Sequence, residues 1–213
     1  VIAGGPCAFN PEPLAPFLDA VVLGEGEDVI GEIVDCYRAW QKRAGSRGEL
    51  LGDLAQISGV YVPSLYNITY KEDGTIEAIQ PLKGAPGAVT KRVVAGLADA
   101  PYPDRWLVPF TEIIHDRVML EIMRGCTRGC RFCQAGQIYR PLRERPQTEL
   151  LALAEKLVRS TGYDEISLAS LSSSDYSKIG ELVKALLAKY GWEWLYLYRL
   201  CEQTNLPSSL QRA

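Results

Sequence analysis

Three cysteines placed just after a short apolar run constrain this chain more than any other feature. Cys126, Cys130 and Cys133 follow the run at 118–123, and glycine stands directly before the first of them. A short apolar run that ends at a glycine is typical of a buried strand. In parallel α/β folds, the loops after the carboxyl ends of such strands carry the functional site. We therefore expect an α/β fold with a site at this loop.

Residues 117–190 alternate strand, loop and helix around that loop. A helix is predicted at 147–160, with Thr148 as its N-cap and Gly162 after its end. A strand at 165–168 and a polar loop at 170–174 follow, and then a helix capped by Ser174 or Asp175. The predicted inward-facing residues are Leu150, Leu153, Ala154, Leu157 and Val158 on the first helix, and Ile179, Leu182, Val183, Leu186 and Leu187 on the second.

Residues 1–45 also alternate strand and helix, which predicts a parallel sheet. Strands are predicted at 1–3 and 20–23, and a short helix at 13–17. The longer helix predicted at 28–42 is amphipathic. Its apolar face carries Ile30, Ile33, Val34 and Tyr37. Because the chain opens inside a strand-like run and without a methionine, we expect it to be a piece of a longer protein.

Residues 46–116 differ in composition and are predicted to connect the two α/β parts. Glycine and polar residues at 44–48 are typical of a linker. Strand-like runs and a turn signal predict a β-hairpin at 67–80. Proline, glycine and alanine at 81–109 predict an extended connector. The predicted domains are therefore 1–45, 46–116 and 117–213.

The composition and charge of the chain argue against several classes of protein. A net charge of −3 and a pI near 5.4 argue against a general binder of nucleic acids or membrane surfaces. No apolar stretch approaches the ~20 residues of a membrane helix, and no signal peptide opens the chain, which favours the cytoplasm. Six cysteines are too few for a disulfide scaffold. We therefore expect the three scattered cysteines, Cys7, Cys36 and Cys201, to be small buried apolar residues.

The clustered thiols favour an iron–sulfur cluster over other metals. Three soft thiolates at this spacing can hold three irons of a four-iron cluster and leave the fourth iron open to a small molecule. A structural zinc site needs four ligands, and the fourth would come from a scattered cysteine or from His115. His115 lies across the whole predicted strand from Cys126. A disulfide is a third alternative.

The motif Cys126-xxx-Cys130-x-Phe132-Cys133 resembles that of the radical S-adenosylmethionine (SAM) enzymes. The resemblance implies a partial (β/α)6 barrel and a [4Fe-4S] cluster on the three cysteines. Its open iron would chelate SAM, and reductive cleavage would give a 5′-deoxyadenosyl radical. Phe132 would lie beside the adenine. The resemblance also implies cofactor contacts at Gly136 and, in the loop at 170–174, at Ser170, Ser172 and Ser173. The family often has Gly-Gly-Glu in that loop, and this chain departs from it by having serines.

The N-terminal part resembles the last third of a Rossmann-like, cobalamin-binding-type domain. The resemblance rests on Gly4-Gly-Pro6, Asn10-Pro-Glu-Pro13 and Gly24-Glu-Gly-Glu27. Together with the runs at 124–136 and 139–143, it implies an uncharacterised bacterial branch of the radical SAM subgroup that carries such a domain. Cobalamin binding stays open, with cobalamin-linked methyl transfer preferred over methylthiolation. The substrate stays unknown.

Arginines surround the cysteines, with only Glu144 opposing them. They are Arg124, Arg128, Arg131, Arg140, Arg143 and Arg145. Guanidinium groups suit carboxylates and phosphates. Their partners would be the SAM carboxylate, an acidic reductant such as flavodoxin or ferredoxin, or a phosphorylated substrate. The alternative is a solvated face that balances the charge of the cluster.

Two further predictions concern the whole chain. Its aromatic C-terminal end, 191–213, is predicted to result from a frameshift in the source DNA. With or without that frameshift, the chain is expected to contain only about two of the six barrel units. Such a fragment would bind a cluster without turning over. The rival functions are a non-enzymatic zinc-stabilised interaction module and an iron–sulfur electron carrier with a fourth cysteine ligand.

Overall fold

A computed structural model describes residues 1–82, 84–98, 100–111 and 113–191. It divides the chain into two compact units, Val1–Val94 and the part from Ala95 onward. The predicted out-of-frame segment lies outside the described residues except for Gly191, and so does Cys201. In the described part, no helix is both long and apolar enough to cross a membrane.

A three-stranded sheet organises the first unit. Strand β1 (Ile2–Ala3) runs parallel to β2 (Ala20–Val22), as predicted, because the chain crosses between them through short 3₁₀ turns. Strand β3 (Val60–Tyr61) then adds to the other edge of β2 in the antiparallel direction. Part of the predicted connector lies beside this sheet, since the Arg92 amide donates to the Leu23 carbonyl over 2.7 Å.

Two helices cover one face of this sheet. Helix α1 (Val29–Arg43) matches the predicted span, but its predicted apolar face is only partly the buried one. Val29 and Ile33 lie in the core. The exposed members of the predicted face are Ile30, Val34 and Tyr37. Val29 and Ile33 pack against strand β2. The buried face of α1 is therefore rotated around the helix axis from the predicted face.

The predicted linker at 44–48 is wrong in part, because helix α2 (Arg47–Leu54) begins inside it. Ser46 accepts a hydrogen bond from the Glu49 amide, and the Glu49 carboxylate accepts one from the Ser46 amide. This reciprocal capping box starts the helix. The predicted hairpin is confirmed as β4 (Tyr66–Tyr70) paired antiparallel with β5 (Ile76–Pro81).

The second unit has the predicted β-loop-α-β-loop-α order. Strand β6 (Val118–Glu121) pairs in parallel with β9 (Ile166–Ala169). Helices α4 (Gln147–Thr161) and α5 (Ile179–Tyr190) contribute their predicted apolar faces to the core. The fully buried side chains of this core include Val118, Leu120, Leu150, Leu157, Ile166 and Leu182. The α/β class is therefore confirmed.

The predicted helix ends are right at one site and wrong at two. Gly162 ends α4 with a left-handed backbone, φ 73°, as predicted. Helix α4 begins after Pro146, so Thr148 lies inside its first turn and is not its cap. Helix α5 begins only at Ile179, because a 3₁₀ turn at Ser173–Asp175 comes first. The side chain of Asp175 is used elsewhere, as described below.

The scattered cysteines differ from the prediction of burial. Cys7 is exposed and Cys36 is half-buried. Burial and the nearby Asp53 carboxylate raise the pKa of Cys36, which keeps its thiol protonated at neutral pH. Neither residue is a fully buried apolar position.

Candidate functional site

The three clustered cysteines lie on a loop that leaves and re-enters the fold at one place. Strand β7 (Met123–Arg124) leads into the loop, and β8 (Arg143–Glu144) pairs with it antiparallel at the exit. We call residues 125–142 the cysteine loop. It follows the carboxyl end of β6, where parallel α/β folds place their sites. The short β7–β8 pair was not predicted.

Gly125 occupies the narrow base of the cysteine loop. Its φ is 94°, and a Cβ atom there would lie 2.9 Å from both the Leu142 Cα and the Pro141 oxygen. Only glycine satisfies both conditions. Gly129 also has a positive φ, 62°, a backbone conformation that favours glycine. Glycine therefore lets the backbone turn at the base of the loop and between the first two cysteines.

The thiols lie on one loop but are not drawn together. Cys126 and Cys133 are half-buried and Cys130 is exposed, all as free cysteines. Within the described residues, no group of three His, Cys, Asp or Glu side chains is arranged to hold a metal ion. The donor set of the loop is nevertheless soft, since it offers three thiols and no carboxylate or imidazole. Such donors fit an iron–sulfur cluster or zinc, and not magnesium or calcium.

His115 is the imidazole that the zinc alternative would use, and it lies in the same unit as the cysteine loop. The His115 ring lies 3.0 Å from the guanidinium of Arg117 and is exposed. Within the described residues, His115 belongs to no group of three side chains arranged to hold a metal ion.

Two of the predicted cofactor contacts lie on the cysteine loop itself. The Phe132 side chain is 92% exposed, so its ring is available to a ligand. Gly136 is buried in the one-turn helix α3 (Ala135–Ile138). A Cβ atom at Gly136 would lie 3.9 Å from the Cys133 sulfur, so this glycine lies directly behind the third thiol. Both residues are therefore next to the thiols in space as well as in sequence.

The remaining predicted contacts lie in the loop after β9. We call residues 170–174 the serine loop. The Ser170 and Ser173 hydroxyls are 2.9 Å apart, and Ser173 donates to the Leu168 carbonyl over 3.3 Å. Ser172 donates to the Asp175 carboxylate over 2.7 Å. The three predicted hydroxyls therefore already bond within the loop and to the residue that follows it.

Asp175 connects this region to the cysteine loop, a role that the sequence reasoning missed. Its carboxylate accepts hydrogen bonds from Nε of Arg128, at 2.7 Å, and from a second guanidinium nitrogen. The Ser172 hydroxyl and Arg128 lower the pKa of Asp175, so it is ionised at neutral pH. A usable signal existed, because Asp175 is the first carboxylate after β9 and the cysteine loop is rich in arginine.

The six nearby arginines do not form one free anion-binding surface. Arg124 makes a two-pronged hydrogen bond to Glu121, at 2.9 and 2.8 Å. Arg128 is held by Asp175, and Arg145 is 1% exposed and bonded to Glu149. At least three of the six arginines are therefore paired with carboxylates of the same chain.

A cavity of about 420 Å³ opens beside the base of the cysteine loop. Most of its lining is apolar, and the paired Glu121 and Arg124 supply the charge. Met119 and Glu121 point into it because they alternate along β6 with the buried Val118 and Leu120. Its residues are Tyr102, Met119, Glu121, Met123, Arg124, Gly125, Tyr139, Ala169, Ser170 and Leu171.

Comparison with known families gives two matches. Residues 1–63 match the family described as "Radical SAM proteins, N-terminal". Residues 120–206 match the family described as "Radical SAM superfamily". The second match includes the last two residues of β6, the cysteine loop and the serine loop.

Two curated proteins are similar to the chain. An uncharacterized protein of Methanocaldococcus jannaschii, MJ0966, is 30% identical over 188 residues, which is 87% of this chain and 34% of that protein. The ribosomal protein uS12 methylthiotransferase RimO of Desulfotalea psychrophila is 33% identical over 102 residues, which is 45% of this chain and 23% of that protein. The chain thus spans about a third or less of the length of these relatives. No solved structure matches it significantly.

Proposed function

The chain belongs to the radical SAM superfamily, and from this membership we propose that it binds a [4Fe-4S] cluster and S-adenosylmethionine. Cys126, Cys130 and Cys133 would hold the cluster. The observation that supports this is the position of three soft donors on one loop at the carboxyl end of a strand that is paired in parallel. When bound and reduced, the cluster would supply the electron that cleaves the sulfonium carbon–sulfur bond of SAM.

The residues around the thiols would bind and orient SAM. The exposed Phe132 ring offers an apolar face to the adenine. Gly136 leaves room behind the Cys133 sulfur, which a larger side chain would reduce. Ser170, Ser172 and Ser173 would serve the methionyl end. A hydroxyl oxygen has two lone pairs, so these serines keep acceptor capacity beside their bonds within the loop.

The larger architecture is part of the same proposal. Residues from 117 onward would begin a partial (β/α)6 barrel, and β6, α4, β9 and α5 supply its first two strand–helix units. The sheet formed by β1 and β2 would be the end of a Rossmann-like, cobalamin-binding-type domain. Its parallel pair and crossing turns fit such a domain. Cytoplasmic localisation and a flavodoxin- or ferredoxin-like reductant stay predictions from the sequence.

The reaction has two candidates. Cobalamin-linked methyl transfer follows from the N-terminal resemblance. Methylthio transfer is favoured by the similarity to the uS12 methylthiotransferase, which covers 45% of this chain. Retention of added cobalamin through gel filtration would favour the first reaction, because only that reaction needs a bound corrinoid.

Anaerobic reconstitution with iron and sulfide tests the cluster. We expect a brown protein with the broad visible absorbance of an iron–sulfur cluster, and loss of both colour and iron in the triple variant Cys126→Ala, Cys130→Ala, Cys133→Ala. The double variant Cys7→Ala, Cys36→Ala is the matched control, because it removes thiols outside the cysteine loop. It should load as much iron as the parent chain.

Three outcomes would contradict the proposal. Iron retained by the triple variant would place the metal elsewhere. Zinc without iron in the purified protein would favour the interaction module. A cluster lost on substituting Cys36 or Cys201 would favour an electron carrier with four cysteine ligands.

A further inference from the structure

Three consecutive residues after the serine loop bind the cysteine loop and its exit strand. Asp175 accepts from Arg128, which lies between the first two cysteines. Tyr176 is 3% exposed and donates to the Arg145 carbonyl over 2.9 Å. The Ser177 amide donates to the Glu144 carboxylate over 2.7 Å. All three contacts join parts of the chain more than 30 residues apart in sequence.

These contacts hold the cysteine loop at two different places. Asp175 binds Arg128 near the start of the loop, whereas Ser177 binds the exit strand β8 and Tyr176 binds Arg145 directly after that strand. Burial of Tyr176 anchors the segment in the core of the second unit. The Ser172 hydroxyl donates to Asp175 over 2.7 Å and so orients its carboxylate toward Arg128. Ionic, two-pronged contacts of this kind fix direction as well as distance.

We propose that residues 175–177 are a positioning clamp that restricts the cysteine loop and so favours the gathering of its thiols around a cluster, with Asp175 as its positioning residue. This inference rests on the proposed function. The thiols lie on a loop that the fold does not draw into a metal-binding set, so they must be brought together as metal binds. Tethering Arg128 restricts the loop between Cys126 and Cys130 and reduces the conformational freedom lost in that step.

The variant Asp175→Asn keeps the size of the side chain and removes its charge. The matched control is Glu155→Gln, which breaks the pair with Lys189 on the helices of the same unit, away from the cysteines. After reconstitution, we expect Asp175→Asn to lose iron to a chelator about fivefold faster than the parent and the control. The electron paramagnetic resonance signal of its reduced cluster should also broaden, since the thiols hold a wider range of positions.

A second measurement uses the metal-free protein. Amide deuterium exchange at 127–133 should be about fivefold faster in Asp175→Asn than in the parent and in Glu155→Gln, while exchange in α4 stays unchanged. Equal exchange in all three proteins would overturn the clamp, whether or not a cluster forms. If the parent takes up no iron but the exchange difference is present, the proposed function fails and the clamp stands as a structural device.

Discussion

At the residue scale, the buried guanidinium of Arg145 stabilises the fold near the site and is not available to a ligand. It is 1% exposed, and its guanidinium donates to the Leu97 carbonyl over 2.6 Å and to Glu149. The same group lies 5.2 Å from the centre of the Tyr102 ring. The sequence placed Arg145 among six arginines around the cysteines. Glu149 could have been identified as a partner from its i+4 spacing, but Leu97 and Tyr102 could not, because only the tertiary fold brings them near.

Replacing Arg145 tests this structural role. Arg145→Ala leaves Glu149 without its buried partner and opens a cavity, so we expect a loss of about 3 kcal/mol in the free energy of unfolding. Urea unfolding followed by circular dichroism measures it. Arg159→Ala, at an exposed position of helix α4, should change stability by less than about 0.5 kcal/mol. Equal effects of the two variants would show that Arg145 is not a buried anchor.

At the scale of elements, the start of α2 depends on one reciprocal cap. The Ser46 amide and hydroxyl lower the pKa of Glu49 below its usual 4.5. Because the folded-state pKa is the lower one, the stabilisation by Glu49 is complete above the unfolded-state pKa. It is lost as the pH falls through the folded-state value.

Two variants test the cap. Ser46→Ala should lower the free energy of unfolding by about 1 kcal/mol at neutral pH. Glu49→Gln should be less stable than the parent at neutral pH, and the difference should vanish in acid below the folded-state pKa. Urea unfolding across this pH range measures both effects. Glu72→Gln, on the exposed hairpin turn, is the control. A Glu49→Gln difference that persists in acid would contradict a contribution from the ionised carboxylate.

Long helices and strands with a clear apolar period could be predicted from the sequence, whereas very short elements could not. Helices α4 and α5 and strands β6 and β9 were predicted within a few residues, because their apolar spacing matches the side they bury. The β7–β8 pair contains two residues per strand and has no readable period. The start of α2 was missed although Ser46 and Glu49 have the spacing of a capping box. Within the site, the thiols were predictable from spacing, whereas the contact of Asp175 with Arg128 depends on how two loops fold together.

At the scale of the whole molecule, the chain consists of two units with separate cores. The first unit has a core between the β1–β3 sheet and its helices and a smaller cluster of Ala8, Val21 and Tyr61. The core of the second unit lies between the β6–β9 pair and α4 and α5. Leu157 is fully buried in the second core. Separate cores imply that a cavity in one unit weakens that unit first.

A core substitution tests this independence. Leu157→Ala should cost about 3 kcal/mol and speed amide deuterium exchange in β6, β9 and α4. Exchange in β2 and α1 should stay at the parent rate. Val60→Ala, in the core of the first unit, should give the reverse pattern. Loosening of both units by either variant would show that they unfold together.

The exposure of the cysteine loop has a practical consequence. Cys130 is open to solvent, and its two neighbouring thiols are only half-covered. Dissolved oxygen and peroxide reach sulfur wherever water does, and an accessible thiolate passes to sulfenic acid and then to a disulfide. Such products no longer bind metal. Protein isolated in air would therefore lose its ligands before meeting iron, so inert gas and a reductant are needed from cell lysis onward.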